Sequence, residues 1–251
     1  MIEPDTNVAE LVAPVRRPPI EHVVIVVPAC DEAERLGPTL VALERARFQM
    51  PSHIGSTVVV VADRCSDATA ELARAALPDP DAVLEVSVAS AGSARCLGVA
   101  HALGAVDVPD ERIWVASTDA DTLVPPDWLT RQLDAAAAGF VAIAGIVTLD
   151  LARGATPALI RAFDRAYVLA DDGTHQHVHA ANLGFRADAY LSSGGWAALA
   201  TGEDHDLWRR LSAMGPVVSD SSFSVVTDAR RVGRAPDGFA ADLDALSQVV
   251  A

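Results

Sequence analysis

The chain reads as an α/β protein built on a mostly parallel, Rossmann-like sheet flanked by helices. Val23-Val24-Ile25-Val26-Val27 and Thr57-Val58-Val59-Val60-Val61 are continuous β-branched runs, the pattern of strands buried on both faces. Segments with apolar residues at helical spacing separate such runs, beginning with Leu36, Leu40, Leu43 and Ala46. Strands that alternate with helices in this way belong to a parallel sheet, because each return to the same sheet edge needs a crossover.

Residues 1–21, with Pro4, Pro14, Pro18 and Pro19, read as a poorly ordered arm. The first strand then ends at Pro28, and the Leu36 helix follows. After the second strand, Asp67 is placed to cap a helix over 68–76. A third strand is expected over 82–88, a helix over 93–103, and a fourth strand at Ile113–Ser117. In the second half, 140–149 reads as a longer strand, and Thr156-Pro157 opens a helix with proline at its favoured first position. His175 to Phe185 reads as extended, 187–191 as a short helix, and Gly194-Gly195 as a turn. A helix from Glu203 ends at Gly215-Pro216, a strand lies within 217–226, and an arginine-rich loop follows over 228–238.

A chain of 251 residues that is 51% hydrophobic can bury a core, here one of Val, Ala and Leu because aromatics are only 5%. Nineteen basic residues against 34 acidic give a net charge of −15, which argues against nonspecific nucleic-acid binding and against docking on anionic membranes. A bound phosphate therefore needs a metal or a local group of arginines. No apolar run reaches the roughly 18–20 residues of a membrane span, and no basic n-region precedes an apolar stretch. Three cysteines do not suggest a disulfide framework. The expectation is a cytoplasmic protein, and a homodimer is compatible with it.

Ser117-Thr118-Asp119-Ala120-Asp121-Thr122 directly follows the fourth strand. Side chains two apart on an extended segment share a face, so both carboxylates would leave the strand end together. Hard oxygen ligands in that arrangement suit Mg²⁺ or Mn²⁺ with a diphosphate. The pair alone fits an Asx-rich turn equally well. In doubly wound sheets, however, ligands bind beyond the carboxyl ends of the strands, and the residues after Pro28, after Ala62 and at Asp119 all occupy that edge.

Seven segments come in a characteristic order: Pro28-Ala29-Cys30-Asp31-Glu32, Ala62-Asp63-Arg64-Cys65-Ser66-Asp67, Gly92-Ser93-Ala94-Arg95, Thr118-Asp119-Ala120-Asp121, Ala181-Asn182-Leu183-Gly184-Phe185-Arg186, Gly194-Gly195-Trp196 and Gly202-Glu203-Asp204-His205. Together they resemble the family 2 glycosyltransferases of the GT-A fold. The resemblance implies a single domain over 22–235, with a nucleotide-binding half (22–125), an acceptor half (126–235) and a C-terminal tail (236–251). It implies a metal-dependent inverting transfer from a nucleoside-diphosphate sugar, with hexosyl transfer favoured, to a hydroxyl of a small-molecule or glycan acceptor. UDP, GDP and dTDP all remain open as the donor nucleotide.

Residue by residue, the resemblance places Pro28, Glu32, Asp63, Arg95 and Asp119 around the nucleotide. Asp121, with Asp119 and Asp228, falls at the metal, and Arg230 and Arg234 at the phosphates. Asp204 matches the catalytic base, with Glu203 as the runner-up or an orienting partner, although adjacent acids at a helix start also simply stabilise it. Trp196, Asn182 and His179 fall on the acceptor side. Core packing is an equal reading for Trp196, and ordinary strand packing a second one for the histidines.

The sequence departs from the family pattern where Ala62-Asp63 replaces a paired aspartate and Arg64 a glycine. Cys30, Cys65 and Cys96 stand in nucleotide-side loops and read as small, half-buried thiols. Asp31 and Asp67 read as helix caps. A sugar-phosphate nucleotidyltransferase would need a Gly-rich basic loop after the first strand, and that loop is acidic here. A non-catalytic nucleotide- or glycan-binding module of the same fold would not need Asp119, Asp121 and Asp204 together.

Overall fold

A computed structural model describes residues 17–79, 82–167, 169–230 and 239–250. Strands β1 (His22–Ala29), β2 (Gly55–Asp63), β3 (Val83–Val86) and β4 (Ile113–Ser117) form a parallel block, joined through helices α1 (Leu36–Phe48), α2 (Thr69–Ala76) and α3 (Ala91–Ala105). Val23, Ile25 and Val27 pack with Leu36, Leu40 and Leu43 of α1, whereas Val24 and Val26 pack with Ala94, Val99 and Ala102 of α3. Both faces are covered, which is why the run is uninterrupted in sequence. Helix α3 lies close on the sheet because residue 98 is glycine; a Cβ there would strike Val61 and Val26.

The other strands are β5 (Thr122–Leu123), β6 (Ala142–Leu149), β7 (Leu183–Arg186) and β8 (Val217–Thr227), and the sheet order is β3-β2-β1-β4-β7-β6-β8-β5. Strand β7 runs antiparallel to both β4 and β6, while β6 and β8 are parallel. Strand β1 lies between β2 and β4, and its flanking crossovers α1 and α3 pack on opposite faces. The crevice of a topological switch point therefore opens beyond Ala29 and Ser117.

The remaining helices are α4 (Trp128–Ala137), α5 (Pro157–Ala166), α6 (Ala187–Ser192), α7 (Glu203–Ser212) and α8 (Phe239–Val250). Thr156 caps α5, its hydroxyl accepting the Leu159 N–H. Helices α6 and α7 add Tyr190, Leu207 and Leu211 to the α3 face, and α4, α5 and α8 complete the other.

Four expectations change. Helix α4 was not foreseen; its Trp128 and Leu129 are fully buried, and Gln132 accepts the indole N–H of Trp114 at 2.7 Å. The stretch from His175 is not one strand: a 3₁₀ turn at Ala180–Asn182 precedes the short β7. The segment expected as a tail carries α8, whose Leu243 is buried and whose Phe239 meets Phe163 edge-on at 5.6 Å. Most of the expected N-terminal arm lies outside the described residues, but Arg17 ion-pairs with Asp188 at 3.0 Å and Ile20 is buried. Among the described residues, no helix is long and apolar enough to cross a membrane.

Candidate active site

A cleft of about 500 Å³ opens over the carboxyl ends of β1, β2 and β4, bordered by the starts of α3, α7 and α8. Pro28, Glu32, Asp63, Arg95, Asp119, Asp121, His179, Glu203, Asp204, Asp228 and Arg230 all line it. Arg234 lies outside the described residues.

The nucleotide-side loops are locked to one another through their polar atoms. Glu32 donates its backbone N–H to Thr69 Oγ1 at 2.8 Å. Asp63 Oδ1 accepts the N–H groups of Val88 and Ala89 at 2.8 and 3.3 Å, fixing the turn into α3 where Ala89 holds a φ of 59°. Asp31 does not cap α1. Its Oδ1 accepts from Ser66 N and Asp67 N, while Asp67 accepts from Ala33 N and Thr69 N, so this pair staples the loops after β1 and β2. Cys65 sits in the same staple, whereas Cys96 packs on the opposite face of the sheet beside Tyr190.

The Asp119–Asp121 segment is a turn rather than an extension of β4. Thr122 donates its N–H to Asp119 O at 3.1 Å, and the two carboxylates find different partners. Asp119, about a third exposed, accepts from Arg95. Asp121, only 5% exposed, pairs with Arg230 at 2.9 Å. Burial pushes the Asp121 carboxyl up to about 6, with Asp119, Glu32 and Asp228 adding to the rise against the pull of Arg230. Arg230 also donates to Glu32 Oε1 at 2.5 Å, and its backbone N–H to Asp228 Oδ1 at 3.0 Å.

Two further arginines, to which the sequence assigned no role, complete this network. Arg153 donates to the Asp121 carbonyl, and Arg35 to Asp228 Oδ2 at 3.2 Å. Arg35 directly follows the acidic loop after β1, so a local signal existed for it; nothing local marks Arg153.

Arg95 is 3% exposed and bridges the cleft rather than reaching from its rim. Its guanidinium contacts Asp119, Glu203 Oε1 at 3.1 Å and Ser117 Oγ at 3.2 Å. Glu203 is thereby tied to an arginine, and burial raises its pKa against that arginine's opposing pull. Asp204, half-buried at the start of α7, accepts the Ala180 N–H at 3.3 Å and its neighbour His205's N–H at 2.8 Å. Gly92 makes the close approach of α3 to this corner feasible, since a Cβ there would strike Ala197 O and the Glu203 stem.

Two acceptor-side expectations do not hold. Asn182 has no exposed surface; its amide accepts from Trp128 Nε1 at 2.9 Å and donates to Ile146 O and Phe223 O at 3.0 and 2.9 Å. It ties α4, β6 and β8 together. Trp196 is 4% exposed and packs with Phe185 and beneath Arg95, so no sugar ring can stack on it. His179 does face the cleft. Tyr167 Oη takes the Val147 N–H and lies 2.5 Å from His179 Nε2. Burial favours the neutral imidazole by lowering its pKa to about 4, and in the tautomer protonated at Nδ1 the phenol donates its proton to Nε2.

A family model described as Glycosyltransferase like family 2 matches residues 18–229, most of the chain and all the residues of this network except Arg230. The chain belongs to that family. Among solved structures, this glycosyltransferase-like chain is similar to Staphylococcus aureus TarS. The TarS 1–349 structure in complex with UDP-GlcNAc aligns at 12% identity with a TM-score of 0.61, covering 91% of this chain and 65% of that one. TarS 1–349 in complex with UDP gives 14% identity and a TM-score of 0.58, covering 83% and 61%. TarS itself gives 14% and 0.60, covering 82% and 36%. The present chain thus spans less than two thirds of the length of these neighbours, and at such identity they speak for the GT-A fold alone. No curated protein matches the sequence.

Proposed function

We propose that this family 2 member is a divalent-metal-dependent, inverting glycosyltransferase that moves a hexose from a nucleoside-diphosphate donor to an acceptor hydroxyl. The observation that carries the proposal is the division of charge across the cleft. Glu32, Asp119, Asp121 and Asp228 gather around Arg230 on the donor side, and Asp204 stands at the start of α7 beside His179.

The donor-side carboxylates fit a hard divalent cation in chemistry and in burial. Asp121 and Asp119 would hold Mg²⁺ or Mn²⁺, with Asp228 the third candidate. Such an ion supplies charge neutralisation to the donor diphosphate as the bond to the sugar breaks.

Pro28, Glu32 and Asp63 border the nucleoside pocket, where a carboxylate can accept an imide N–H. UDP is the first nucleotide to test, because TarS structures are described with UDP and UDP-GlcNAc. Arg95 anchors Asp119 and Glu203, which suits Glu203 to orient rather than to abstract. Asp204 then takes the acceptor's hydroxyl proton, and the neutral His179 can hydrogen-bond the same acceptor.

Thermal denaturation with UDP, GDP, dTDP and CMP, each with and without Mn²⁺, tests the proposal. A metal-dependent rise in melting temperature with one nucleoside diphosphate supports it, since selective binding stabilises the folded state. No shift with any of the four abandons it.

A further inference from the structure

We infer that Arg230 is a resident counter-cation: it occupies Asp121 and Glu32 when the cleft is empty and must leave Asp121 before a divalent metal can bind there. The inference rests on the donor-side reading above and assigns Arg230 a part beyond phosphate contact.

Asp121 and Glu32 are 5% and 2% exposed, and carboxylates so buried cannot stand without a positive partner. Arg230 supplies it to both at once. One terminal nitrogen reaches Glu32 Oε1 at 2.5 Å and the other reaches Asp121 Oδ2 at 2.9 Å. Its backbone N–H is meanwhile held by Asp228 Oδ1 at 3.0 Å. The planar fork thus joins carboxylates from the loop after β1 and the turn after β4, the bridging task a divalent ion performs in oxygen-ligand sites.

The two occupants exclude each other on Asp121. A metal on Asp121 Oδ2 would meet the guanidinium that already holds that oxygen, and one on Oδ1 would still face its like charge a few ångströms away, at about the spacing where such repulsion is strong. The neighbouring cations do not replace Arg230 on Asp121: Arg95 is engaged by Asp119 and Glu203, and Arg35 by Asp228 at 3.2 Å, with Glu32 Oε2 as its more distant partner at 3.9 Å. Arg153 binds only the Asp121 carbonyl. A donor diphosphate resolves the competition. It offers the guanidinium a bidentate anionic partner, so Arg230 can turn from carboxylate to phosphate while the metal takes Asp121. Metal and nucleoside diphosphate then bind with a positive coupling to which Arg230 adds, beyond what direct metal–phosphate attraction supplies.

The test is Mn²⁺ binding, followed by calorimetry and by the loss of free-ion EPR signal, with no sugar donor present. Wild type, Arg230→Gln and Arg230→Lys are each titrated alone and with saturating UDP. Arg230→Gln is expected to bind Mn²⁺ alone about tenfold more tightly than wild type, with UDP improving its Mn²⁺ affinity by a smaller factor. Arg230→Lys, whose single ammonium cannot span both carboxylates, shifts the same way by roughly threefold and reports on the inference should the glutamine variant fail to fold. Unchanged or weaker Mn²⁺ binding in folded variants overturns the inference while leaving the metal-dependent reading intact. No Mn²⁺ binding by any of the three, even with UDP, overturns both.

Discussion

The guanidinium of Arg95 lies 5.3 Å over the indole of Trp196. This contact gives the tryptophan of the Gly-Gly-Trp segment its job: it floors the arginine that joins Asp119 to Glu203. Cation–π contacts out of water are worth about 2 kcal/mol, and the ring also excludes solvent beneath the ion pairs. Trp196→Phe keeps a π face and is expected to leave acceptor KM within about twofold while lowering kcat severalfold through a looser Arg95. A rise in acceptor KM with kcat unchanged would instead make Trp196 a sugar platform.

Removing the charge itself has a larger effect. Arg95→Met leaves Glu203 half-buried without its partner, and breaking such a pair costs about 3 kcal/mol. The melting temperature should fall by several degrees, and Arg95→Lys should recover only part of it because a compact ammonium cannot span the three acceptors that the guanidinium fork reaches. Equal melting of wild type and Arg95→Met would show that the bridge carries no stability.

Asn182 gives a clean separation of structure from recognition. Asn182→Ala deletes three buried hydrogen bonds and strands Trp128 Nε1, Ile146 O and Phe223 O. At about 1–3 kcal/mol for each stranded group, the loss is enough to unfold a marginal domain. Asn182→Asp keeps the acceptor for Trp128 but turns a buried oxygen on Ile146 O and Phe223 O, so its melting temperature should be no higher than that of Asn182→Ala. Normal stability with weakened acceptor binding would return Asn182 to the acceptor site.

What could be seen in the chain beforehand follows from how local each cause is. Strands β1 and β2 were legible because two-sided burial writes itself as an unbroken Val/Ile run, β4 as a shorter apolar run, and α5 because Thr156-Pro157 caps it. Helix α4 was missed behind Pro125-Pro126, where many of its apolar residues are alanines and its buried Gln132 depends on Trp114. Asp119 and Asp121 were found, but their divergence was not, because it depends on the turn at Thr122 and on arginines far away in the chain. Arg230 reaches Glu32 across 198 positions, a pairing no local pattern encodes. Asn182 and Trp196 belong to motifs that look functional by composition, and only their burial reveals them as supports.

His179 predicts a pH dependence of stability. Its folded pKa of about 4 lies below the ordinary histidine value of 6.5, so the unfolded chain binds more protons between these values. Stability from this residue is therefore fully present above about pH 6.5 and is lost as pH falls toward 4, by at most about 3 kcal/mol. His179→Gln can still accept the Tyr167 hydroxyl but cannot titrate, so its melting temperature should change less between pH 7 and pH 5 than that of wild type. Parallel curves for the two proteins would locate the acid sensitivity elsewhere.

The roles of Asp121 and Asp204 separate by reaction as well as by position. Asp121 sits among the donor-side carboxylates, whereas Asp204 stands at the start of α7 with its oxygens on Ala180 N and His205 N. Asp204→Asn keeps the acceptor oxygen for a backbone N–H and removes the base. Transfer to acceptor should drop by about 10²–10⁴-fold, the usual contribution of a positioned general base, while UDP and Mn²⁺ binding stay unchanged. Slow hydrolysis of the donor sugar by water needs less help from Asp204 and should persist. Asp121→Ala removes the buried carboxylate that faces Arg230, and it should abolish Mn²⁺-dependent nucleotide binding and donor hydrolysis together. If Asp204→Asn loses hydrolysis as completely as transfer, Asp204 acts on the donor and the base must be sought at Glu203. That exchange is resisted by the Arg95 contact, because the arginine 3.1 Å from Glu203 Oε1 opposes the rise in pKa that burial produces and holds the carboxylate in place.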